Sequence, residues 1–437
     1  MNHSELALHT DRYELTMLNA ALIDGTAQRK AVFEVFARFL PPGRDVGIVV
    51  GTERVADAIV NFRFTPSQVT WLVGEAIVNE RFADYLFGFS FNGSVYGYAE
   101  GETYLAHSPV LRVEGSFAEG VVLETLVLSI LNHDTAVAST AAQMVRAAQG
   151  RRLIEMGSRR THDESAVHAA RAAYIAGFDS TSNLEAGYRY GVPTAGTASH
   201  AWVLAHENEY DAFVAQIEAQ GVATTLLVDT FDIDEGIVTA VKAANHFGSP
   251  GPGAIRIDSG DLETGAFAAR ALLDSLGARE TGIVATGDLD ERRIADLVGA
   301  GAPVDAFGVG TRVVTGANCP SPGFVYKLVA IGASEGTMRP VAKRSLEKQD
   351  RGGTTYVRRL SAREARRIGL AVDDGSSEVE VLFVDDPVDD DNPSWSQVQH
   401  RLIDGGTRVG ADTPVAMLRE RTVGRLNDPA GFVQRPR

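Results

Sequence analysis

The stretch "AIRIDSGDL" carries residue types that could hold an anionic ligand. Arg256 and Asp258 are two positions apart, so both side chains lie on one face if the stretch is a β-strand. A guanidinium and a carboxylate in one pocket suit a ligand with an anionic group and a hydroxyl or a metal ion. A structural ion pair with a turn at Asp258 accounts for the same pattern. The stretch alone therefore leaves both interpretations open.

The stretch "GTASHAWVLAHENEY" raises the question of a reactive histidine. His200 follows a Gly-Thr-Ala-Ser run at the expected start of a helix, and Asp229 ends the next apolar run along the chain. A carboxylate one strand away can accept a hydrogen bond from one ring nitrogen and leave the other as a base or nucleophile. On spacing alone, however, a neutral histidine packed at a helix start is the favoured interpretation.

Two glycine-containing turns have the residues of a phosphate or ribose site. "AFGVGTRVVTG" contains Gly308, Gly310 and Thr311, and "VATGDLD" contains Gly287 and Asp288. Glycines let backbone N–H groups approach a phosphate, the threonine adds a hydroxyl donor, and a carboxylate can hold ribose hydroxyls. Polar turns are also ordinary loop features, so this prediction depends on where the turns fall in the fold.

Two further stretches carry weaker signals. "EMGSRR" offers Arg159 and Arg160, one of which would face a pocket while the other faces solvent. A surface position is favoured for at least one of them. Tyr13, in "TDRYELTM", lies in a helical pattern, where a tyrosine is more often a core residue than a ligand contact. It becomes relevant only if the first domain or a second subunit covers the pocket.

All of the candidate residues named above except Tyr13 lie in a repeated pattern between about Ile154 and Val341. Short β-branched apolar runs end in polar turns, and Ala-rich amphipathic segments follow, as in βα units. Serial units of this kind predict a parallel sheet, closed into a barrel or open with helices on both faces. We favour the barrel, because barrel enzymes carry functional groups after the strands and a phosphate cup after the last ones.

Length and texture predict two domains. A single core stops growing at roughly 250 to 300 residues, and this chain has 437. We predict an α+β domain over residues 1–130 and the α/β barrel, with the catalytic residues, over residues 131–344. Residues 345–437 are predicted to form short strands and polar loops that return to the first domain. The predicted fold class is therefore α/β: an irregular TIM-like barrel with an N-terminal α+β domain completed by C-terminal strands.

Composition excludes several classes of function. The net charge of −16 argues against a nucleic-acid partner, although a few arginines or a Mg²⁺ ion can still attract a small anion into a pocket. The single cysteine, Cys319, excludes an intrachain disulfide framework, and there is no Cys/His cluster for a structural zinc. No run approaches the roughly 18 apolar residues that span a bilayer, and the start lacks a secretory leader pattern. We expect a cytoplasmic protein with no membrane partner.

Together, the motifs resemble the nicotinate phosphoribosyltransferase family. They are, in order, "TDRYELTM", "GSRR", "GFDSTSN", "GTASHAW", "LLVDTFD", "RIDSGD", "TGDLDE" and "FGVGT", and they extend from about Thr10 to about Leu328. The resemblance implies the type II phosphoribosyltransferase fold, usually a homodimer with active sites at the subunit interface. It implies conversion of nicotinate and phosphoribosyl pyrophosphate to nicotinate mononucleotide and pyrophosphate, with Mg²⁺ and with ATP as a co-substrate that is hydrolysed, which makes such an enzyme a ligase.

The resemblance also assigns roles in nicotinate binding and ATP coupling. His200 matches the histidine that ATP phosphorylates transiently, and Asp229 matches the acid that orients it. Tyr13 matches the aromatic residue that stacks on the pyridine ring, here reaching across the dimer. Thr197 and Arg256 match nicotinate-binding positions.

Other roles concern the pocket wall and the phosphoribosyl group. Arg159 matches a pocket arginine of the family. Thr311, together with Gly308 and Gly310, matches the 5-phosphate cup. The phosphoribosyl and Mg²⁺ side is implied for three further residues: Asp258, Gly287 and Asp288. The family pattern has Gly-Gly in "SPGFVYKL" where this chain has Phe324, and a reshaped loop is expected there.

Three alternatives remain open. Nicotinamide-using relatives carry an aspartate where we align Ser182; that aspartate would repel the carboxylate of nicotinate, so Ser182 favours nicotinate. A quinolinate-using enzyme would need more cations in the pocket and no histidine that reacts with ATP. A non-catalytic binding protein is a third possibility, but a decayed site would have lost several of the polar residues that are present here.

Overall fold

Contacts divide the chain into two compact units. The computed structural model describes residues 3–41, 44, 46–333, 336–345, 348–349, 352–367, 378–385, 395–427 and 432–436. The first unit comprises Met1–Ala136, Cys319–Thr413 and Arg421–Arg437, and the second comprises Val137–Asn318 and Pro414–Glu420. Most of the acidic stretch near the C-terminus, residues 386–394, lies outside the described residues.

The described α-helices are, in chain order, α1 (Arg12–Asp24), α2 (Thr52–Val60), α3 (Pro66–Gly74), α4 (Ala83–Phe87), α5 (Phe117–Val121), α6 (Glu124–Ala148), α7 (Asp163–Ile175), α8 (Leu184–Tyr190), α9 (His200–Leu204), α10 (Glu209–Gln220), α11 (Ile233–His246), α12 (Leu262–Ser275), α13 (Glu291–Gly299), α14 (Thr311–Val314), α15 (Ala362–Arg367) and α16 (Val415–Asn427). Short 3₁₀ helices span His3–Leu8, Thr26–Gln28 and Glu80–Phe82.

The described strands are β1 (Lys30–Ala37), β2 (Gly47–Ile48), β3 (Ser94–Tyr98), β4 (Thr103–Tyr104), β5 (Leu111–Ser116), β6 (Arg152–Glu155), β7 (Ser180–Thr181), β8 (Thr225–Leu227), β9 (Ala254–Ile257), β10 (Gly282–Ala285), β11 (Ala306–Val309), β12 (Phe324–Gly332), β13 (Met338–Pro340), β14 (Arg344–Ser345), β15 (Lys348–Gln349), β16 (Thr355–Ser361), β17 (Glu378–Val384), β18 (Trp395–Gln397), β19 (Gln399–Asp404), β20 (Thr407–Arg408) and β21 (Phe432–Pro436).

The first unit is built on a seven-stranded antiparallel sheet of order β13-β12-β1-β5-β3-β19-β20. The interior strand β1 is buried at every position after Lys30, which is why "KAVFEVFA" lacks the alternation of a half-exposed strand. β12 pairs with β1 along its length, and the rings of Phe33 and Tyr326 stack with centroids 4.9 Å apart. The segment that returns to the first unit therefore begins at Cys319, earlier in the chain than the domain boundary that we predicted after residue 344.

The second unit holds a six-stranded parallel sheet of order β7-β6-β11-β10-β9-β8. A helix follows each strand, so the predicted α/β class is confirmed. The sheet forms a half barrel: β7 and β8 are its two edges, and no pairing joins them among the described residues. Its strands are two to four residues long and mostly buried, as expected for a sheet covered by helices.

Part of the polar punctuation after the strands serves helix capping. Short polar side chains accept a hydrogen bond from a backbone N–H two or three residues further on, which satisfies donors that the first turn leaves free. The capping residues of α8, α10, α11, α12 and α13 are Asn183, Asn208, Asp232, Asp261 and Asp290. These five residues are thus explained by folding, which leaves Asp229, Asp258 and Asp288 for a different role.

Candidate active site

Arg256 is the centre of a hydrogen-bonded network at the carboxyl end of β9. Its Nε donates to Thr286 Oγ1 at 2.9 Å, one terminal nitrogen donates to Thr197 Oγ1 at 3.0 Å, and the other donates to Asp258 Oδ1 at 2.8 Å. Its side chain is 13% exposed. The network brings together three residues that the sequence predicted, and it adds one, Thr286, that the sequence analysis missed.

Asp258 is held in the ionised form. Burial raises the pKa of its carboxyl, but hydrogen bonds from Thr286 and Arg256, with the charges of Arg256 and His200, outweigh burial and lower the pKa below its ordinary value. The Thr286 hydroxyl donates to the same oxygen that receives Arg256. The other oxygen, Oδ2, accepts no hydrogen bond from the described residues, so it is the part of this carboxylate open to a ligand.

Asp229, at the end of β8, links the network to the histidine. Its Oδ2 accepts from the backbone N–H of Asp258 at 2.9 Å and from Ser259 Oγ at 2.8 Å. Its Oδ1 is buried and has no hydrogen-bond partner among the described residues. That oxygen lies 3.9 Å from His200 Nε2, and the Asp229 side chain is only 1% exposed. A buried acceptor without a donor is costly, so this oxygen is poised for the N–H of the imidazole.

His200 is the first residue of α9, and its side chain is 43% exposed. Spacing alone had favoured a packed histidine, but this exposure shows that His200 is not packed in the core. Nδ1 lies 3.1 Å from Thr230 Oγ1, while Nε2 faces Asp229. Each ring nitrogen thus has a defined neighbour, which is how proteins select one tautomer of an imidazole.

The other side of the sheet edge is open. Arg159, Ser182 and Asp288 are exposed, Thr311 is half-buried, and their side chains form no hydrogen bond or ion pair among the described residues. Asp288 has a positive φ of 46°, a left-handed conformation in which aspartate is more tolerated than most residues. These side chains follow β6, β7, β10 and β11 and are free to contact a ligand.

Two of the predicted phosphate glycines are required by packing behind the network. Gly287 has a φ of +110°, and a Cβ there would lie 2.6 Å from the carbonyl oxygen of Asp258. Gly308 is buried in β11, and a Cβ there would lie 2.5 Å from Thr286 Cγ2 and 2.8 Å from Met156 Sδ. Gly310 precedes α14 with a negative φ and is the less confined of the cup glycines.

Tyr13 and Phe324 both lie in the first unit. Tyr13 is on α1 and 45% exposed; partial burial, with the charges of Glu124 and Glu14, raises the pKa of its phenol. Phe324 begins β12 and is buried, with its ring centroid 5.2 Å from that of Tyr104. The phenylalanine that departs from the family pattern thus fills the core of the first unit.

Sequence reasoning also missed a buried carboxyl at the end of β6. Glu155 accepts hydrogen bonds from the Thr181 hydroxyl and from the N–H of Gly157. Burial raises the pKa of this carboxyl, although both hydrogen bonds act in the opposite direction. The signal was an acidic residue as the last member of a buried strand, "RLIE". It shapes the turn that carries Arg159.

The described residues contain no group of three or more His, Cys, Asp or Glu arranged to hold a metal ion. Oδ1 of Asp258 is already engaged by Arg256 and Thr286. The remaining carboxylate oxygens, on Asp258 and Asp288, suit a Mg²⁺ ion that arrives on a phosphorylated ligand better than a resident ion.

None of the described helices has the length and apolar character needed to cross a membrane.

Comparisons of sequence place this chain beside nicotinate phosphoribosyltransferases. A family model for the nicotinate phosphoribosyltransferase (NAPRTase) N-terminal domain matches residues 8–132. Over 381 residues the chain is 52% identical to a nicotinate phosphoribosyltransferase of Mycobacterium tuberculosis, covering 85% of this chain and 81% of that protein. Over 329 residues it is 40% identical to the nicotinate phosphoribosyltransferase of Bacillus subtilis, covering 75% and 67%. The crystal structure of human nicotinic acid phosphoribosyltransferase matches with a TM-score of 0.79 at 23% identity, covering 98% and 97%; this last likeness concerns the fold alone.

Proposed function

Because the chain belongs to the nicotinate phosphoribosyltransferase family, we propose that it transfers the phosphoribosyl group of phosphoribosyl pyrophosphate to nicotinate. The products are nicotinate mononucleotide, which is an early product of NAD synthesis, and pyrophosphate, which is the leaving group of phosphoribosyl pyrophosphate. The observation that carries the proposal is the network around Arg256, because its geometry leaves the guanidinium ready for a carboxylate.

Arg256 has five N–H donors, and three of them are used by Thr286, Thr197 and Asp258. One N–H therefore remains on each terminal nitrogen. Two parallel donors are what a carboxylate accepts in a bidentate pair. Since three partners fix the guanidinium, little side-chain entropy is lost when nicotinate binds.

The carboxylates suit the charge that develops on the sugar. Breaking the bond between ribose C1 and pyrophosphate builds positive charge on the sugar ring, and a fixed ionised carboxylate stabilises such charge in a site of low dielectric. Asp258 is ionised because of its partners, and its free Oδ2 is the oxygen available. A Mg²⁺ ion held by the available oxygens of Asp258 and Asp288 would neutralise the charge of the pyrophosphate leaving group. Asp288 and Thr311 are the open side chains that we assign to the phosphoribosyl group.

We further propose that ATP phosphorylates His200. The unsatisfied Oδ1 of Asp229 favours the tautomer with the proton on Nε2, and Nδ1 then keeps its lone pair next to Thr230. In the transfer, the bond between the γ-phosphorus and the ADP oxygen breaks as the Nδ1–P bond forms, and the Nε2 proton stays beside Asp229. Water later cleaves the N–P bond and releases phosphate. Asp229 stabilises the cationic imidazole through both steps.

The remaining parts of the proposal concern assembly and location. We propose a homodimer in which Tyr13 of one subunit stacks on the pyridine ring bound by the other, working in the cytoplasm. A flat pyridine ring needs an aromatic face, and Tyr13 is an exposed aromatic residue on a helix of the first unit.

A nicotinamide-preferring enzyme is the second candidate. It would need an acceptor for the N–H groups of the carboxamide, and Ser182 offers only an exposed hydroxyl. The guanidinium of Arg256, with two free donors, favours an acid over an amide because hydrogen bonds to a charged partner are roughly twice as strong.

The test is a product assay on the pure full-length chain. With nicotinate, phosphoribosyl pyrophosphate, Mg²⁺ and ATP, we expect nicotinate mononucleotide to be formed, and nicotinamide in competition to be converted more slowly. A folded protein that forms no product would refute the proposed function. Labelled γ-phosphate should appear in the protein as an acid-labile, base-stable adduct; equal labelling of His200→Ala would refute the phosphohistidine alone, since that variant should keep slow ATP-independent transfer.

A further inference from the structure

A cavity of about 480 Å³ lies in the first unit and is lined only by residues of that unit. Its volume is within the range of roughly 300 to 1,000 Å³ that small-molecule sites occupy. None of the side chains assigned to nicotinate, ribose or ATP lines it. We refer to it as the arginine cavity, because it is lined by His400, Arg401, Arg408, Arg421 and Arg425.

Two of the three carboxylates in the lining, those of Glu100 and Glu102, accept hydrogen bonds from protein donors. Glu102 accepts from the buried Arg359 at 2.7 Å, and the charges of Arg359 and Arg425, with the Arg359 hydrogen bond, overcome burial and lower the pKa of Glu102. Glu100 is buried and accepts from the N–H of Gly51 at 2.7 Å. The third is Glu53, so the lining has four arginines and three glutamates, and positive charge is in excess around the cavity.

Two of the arginines are fixed in place. Arg408 donates to Asp57 at 3.1 Å and lies 3.2 Å from Asp412. Arg425 pairs with Glu378 at 2.9 Å. Arg408 also donates from Nη1 to the carbonyl oxygens of Leu402 and Val409, which leaves one of its five N–H groups. Arg425 keeps donors beyond its pair with Glu378. They form a preorganised wall of the cavity.

Arg421 and His400 are the unsatisfied groups. Among the described residues neither forms an ion pair or a side-chain hydrogen bond. They are close enough that, after burial, the charge of Arg421 is the largest influence that lowers the pKa of His400. Arg421 therefore lies in the cavity lining without a carboxylate partner among the described residues, in the same lining as the imidazole of His400.

We propose that the arginine cavity binds a small molecule that carries a phosphate group. Separate guanidinium groups around one space suit the three oxygens of a phosphate, each of which can accept from a different side chain. Leu402, Val409 and Ala411 form an apolar part of the lining, which suits the non-phosphate part of a phosphate ester. The ligand contacts Arg421 and His400 directly, with Arg408 and Arg425 behind them.

The test is local, because phosphate groups also bind where the reaction takes place. Hydrogen exchange by mass spectrometry is measured on the full chain with inorganic phosphate and, separately, with adenosine 5′-monophosphate. We expect slower exchange in the peptides that carry His400 and Arg421. Protection by both probes indicates a phosphate site, and stronger protection by the monophosphate indicates that the apolar wall contributes.

Two variants and one control decide the outcome. Arg421→Gln and His400→Gln should each remove the protection and weaken binding about tenfold, the loss of one charge-assisted hydrogen bond. Arg366→Gln removes an equally exposed arginine of the first unit that lies outside the cavity and should change nothing. Absence of protection in these peptides, or protection that survives Arg421→Gln, would overturn the proposal whatever the product assay shows.

Discussion

The two halves of the candidate site differ in how much of it exists before a ligand arrives. Around β8, β9 and the end of β10, Arg256, Asp258, Asp229 and Thr286 are joined by hydrogen bonds of ordinary or short length. After β6, β7 and β11, and at Asp288, the named side chains are exposed or half-buried and unpaired among the described residues. We call the first the networked half and the second the open half. The difference implies that changes in the networked half affect stability and activity together, and that changes in the open half affect ligand binding alone.

The largest effect is expected for Arg256→Ala. This change removes the carboxylate-binding fork and leaves Thr197, Thr286 and Asp258 without their shared donor. Removing one partner of a buried charged pair costs about 2–5 kcal/mol, so kcat/KM for nicotinate should fall about 30- to 4,000-fold, with a lower melting temperature. Steady-state kinetics and thermal unfolding measure both. Arg292→Ala, an exposed arginine on α13, is the matched control and should behave like the parent chain.

Asp229→Asn should separate ATP coupling from phosphoribosyl transfer. The amide keeps an acceptor for the N–H of Asp258, but its NH₂ group cannot accept the Nε2 proton of His200. We expect labelling of His200 by γ-phosphate to fall about 10- to 100-fold, since an orienting carboxylate of this kind typically contributes that much. ATP-independent transfer should fall less. Asp234→Asn, at an exposed position on α11, is the control; equal loss of both activities in Asp229→Asn would contradict the assigned role.

Two threonines, one in each half, allow the networked half and the open half to be compared directly. Thr286→Val removes a buried hydroxyl that accepts from Arg256 and donates to Asp258. Leaving those groups unpaired costs about 1–3 kcal/mol, so we expect lower stability and about tenfold lower kcat/KM. Thr311→Val removes a hydroxyl without a partner among the described residues, so it should raise KM for phosphoribosyl pyrophosphate at unchanged stability. Urea unfolding and kinetics on both variants provide the measurement, and equal destabilisation by the two changes would show that the halves do not differ.

The sequence predicted which residues lie at the ends of strands better than it predicted the contacts between them. The parallel α/β sheet followed from repeated apolar runs, and Arg256 and Asp258 were expected on one face because they are two positions apart. The link from Asp229 to the backbone N–H of Asp258 depends on the register of β8 against β9, which spacing does not specify. Thr286 was missed because a threonine after a strand is common and its partners come from another strand.

Two features show why other parts could not be predicted. Gly308 was assigned to a phosphate cup from its motif, and the structure adds a second requirement: its missing side chain makes room for Thr286 and Met156. This constraint is visible only in three dimensions. β12 was placed in the barrel domain because it follows the last βα unit in sequence. Its partner is β1, about 290 residues earlier in the chain, and long-range pairing of this kind leaves no local pattern.

The charge on Asp258 predicts a pH dependence confined to the networked half. Its pKa is lowered in the folded chain, so its contribution to stability is complete above the ordinary carboxyl pKa and is lost as the pH falls through the lowered value. The difference in unfolding free energy between the parent chain and Asp258→Asn should therefore shrink as the pH falls through the acidic range. Asp288→Asn, in the open half, should show no such change. A pH-independent difference for Asp258→Asn would mean that its charge is not what stabilises the network.

The smallest effect is expected for Ser182→Asp, which places a carboxylate in the open half beside the proposed nicotinate site. Because Ser182 is exposed, solvent screens the new charge, and interactions between exposed charges amount to about 0.2–1 kcal/mol. The preference for nicotinate over nicotinamide should fall by no more than about fivefold, measured by running both substrates in competition. Ser182→Ala should leave the preference unchanged, and neither variant should alter the melting temperature. A larger loss of preference would mean that the carboxylate acts in a dry environment, and hence that substrate binding closes the open half over nicotinate.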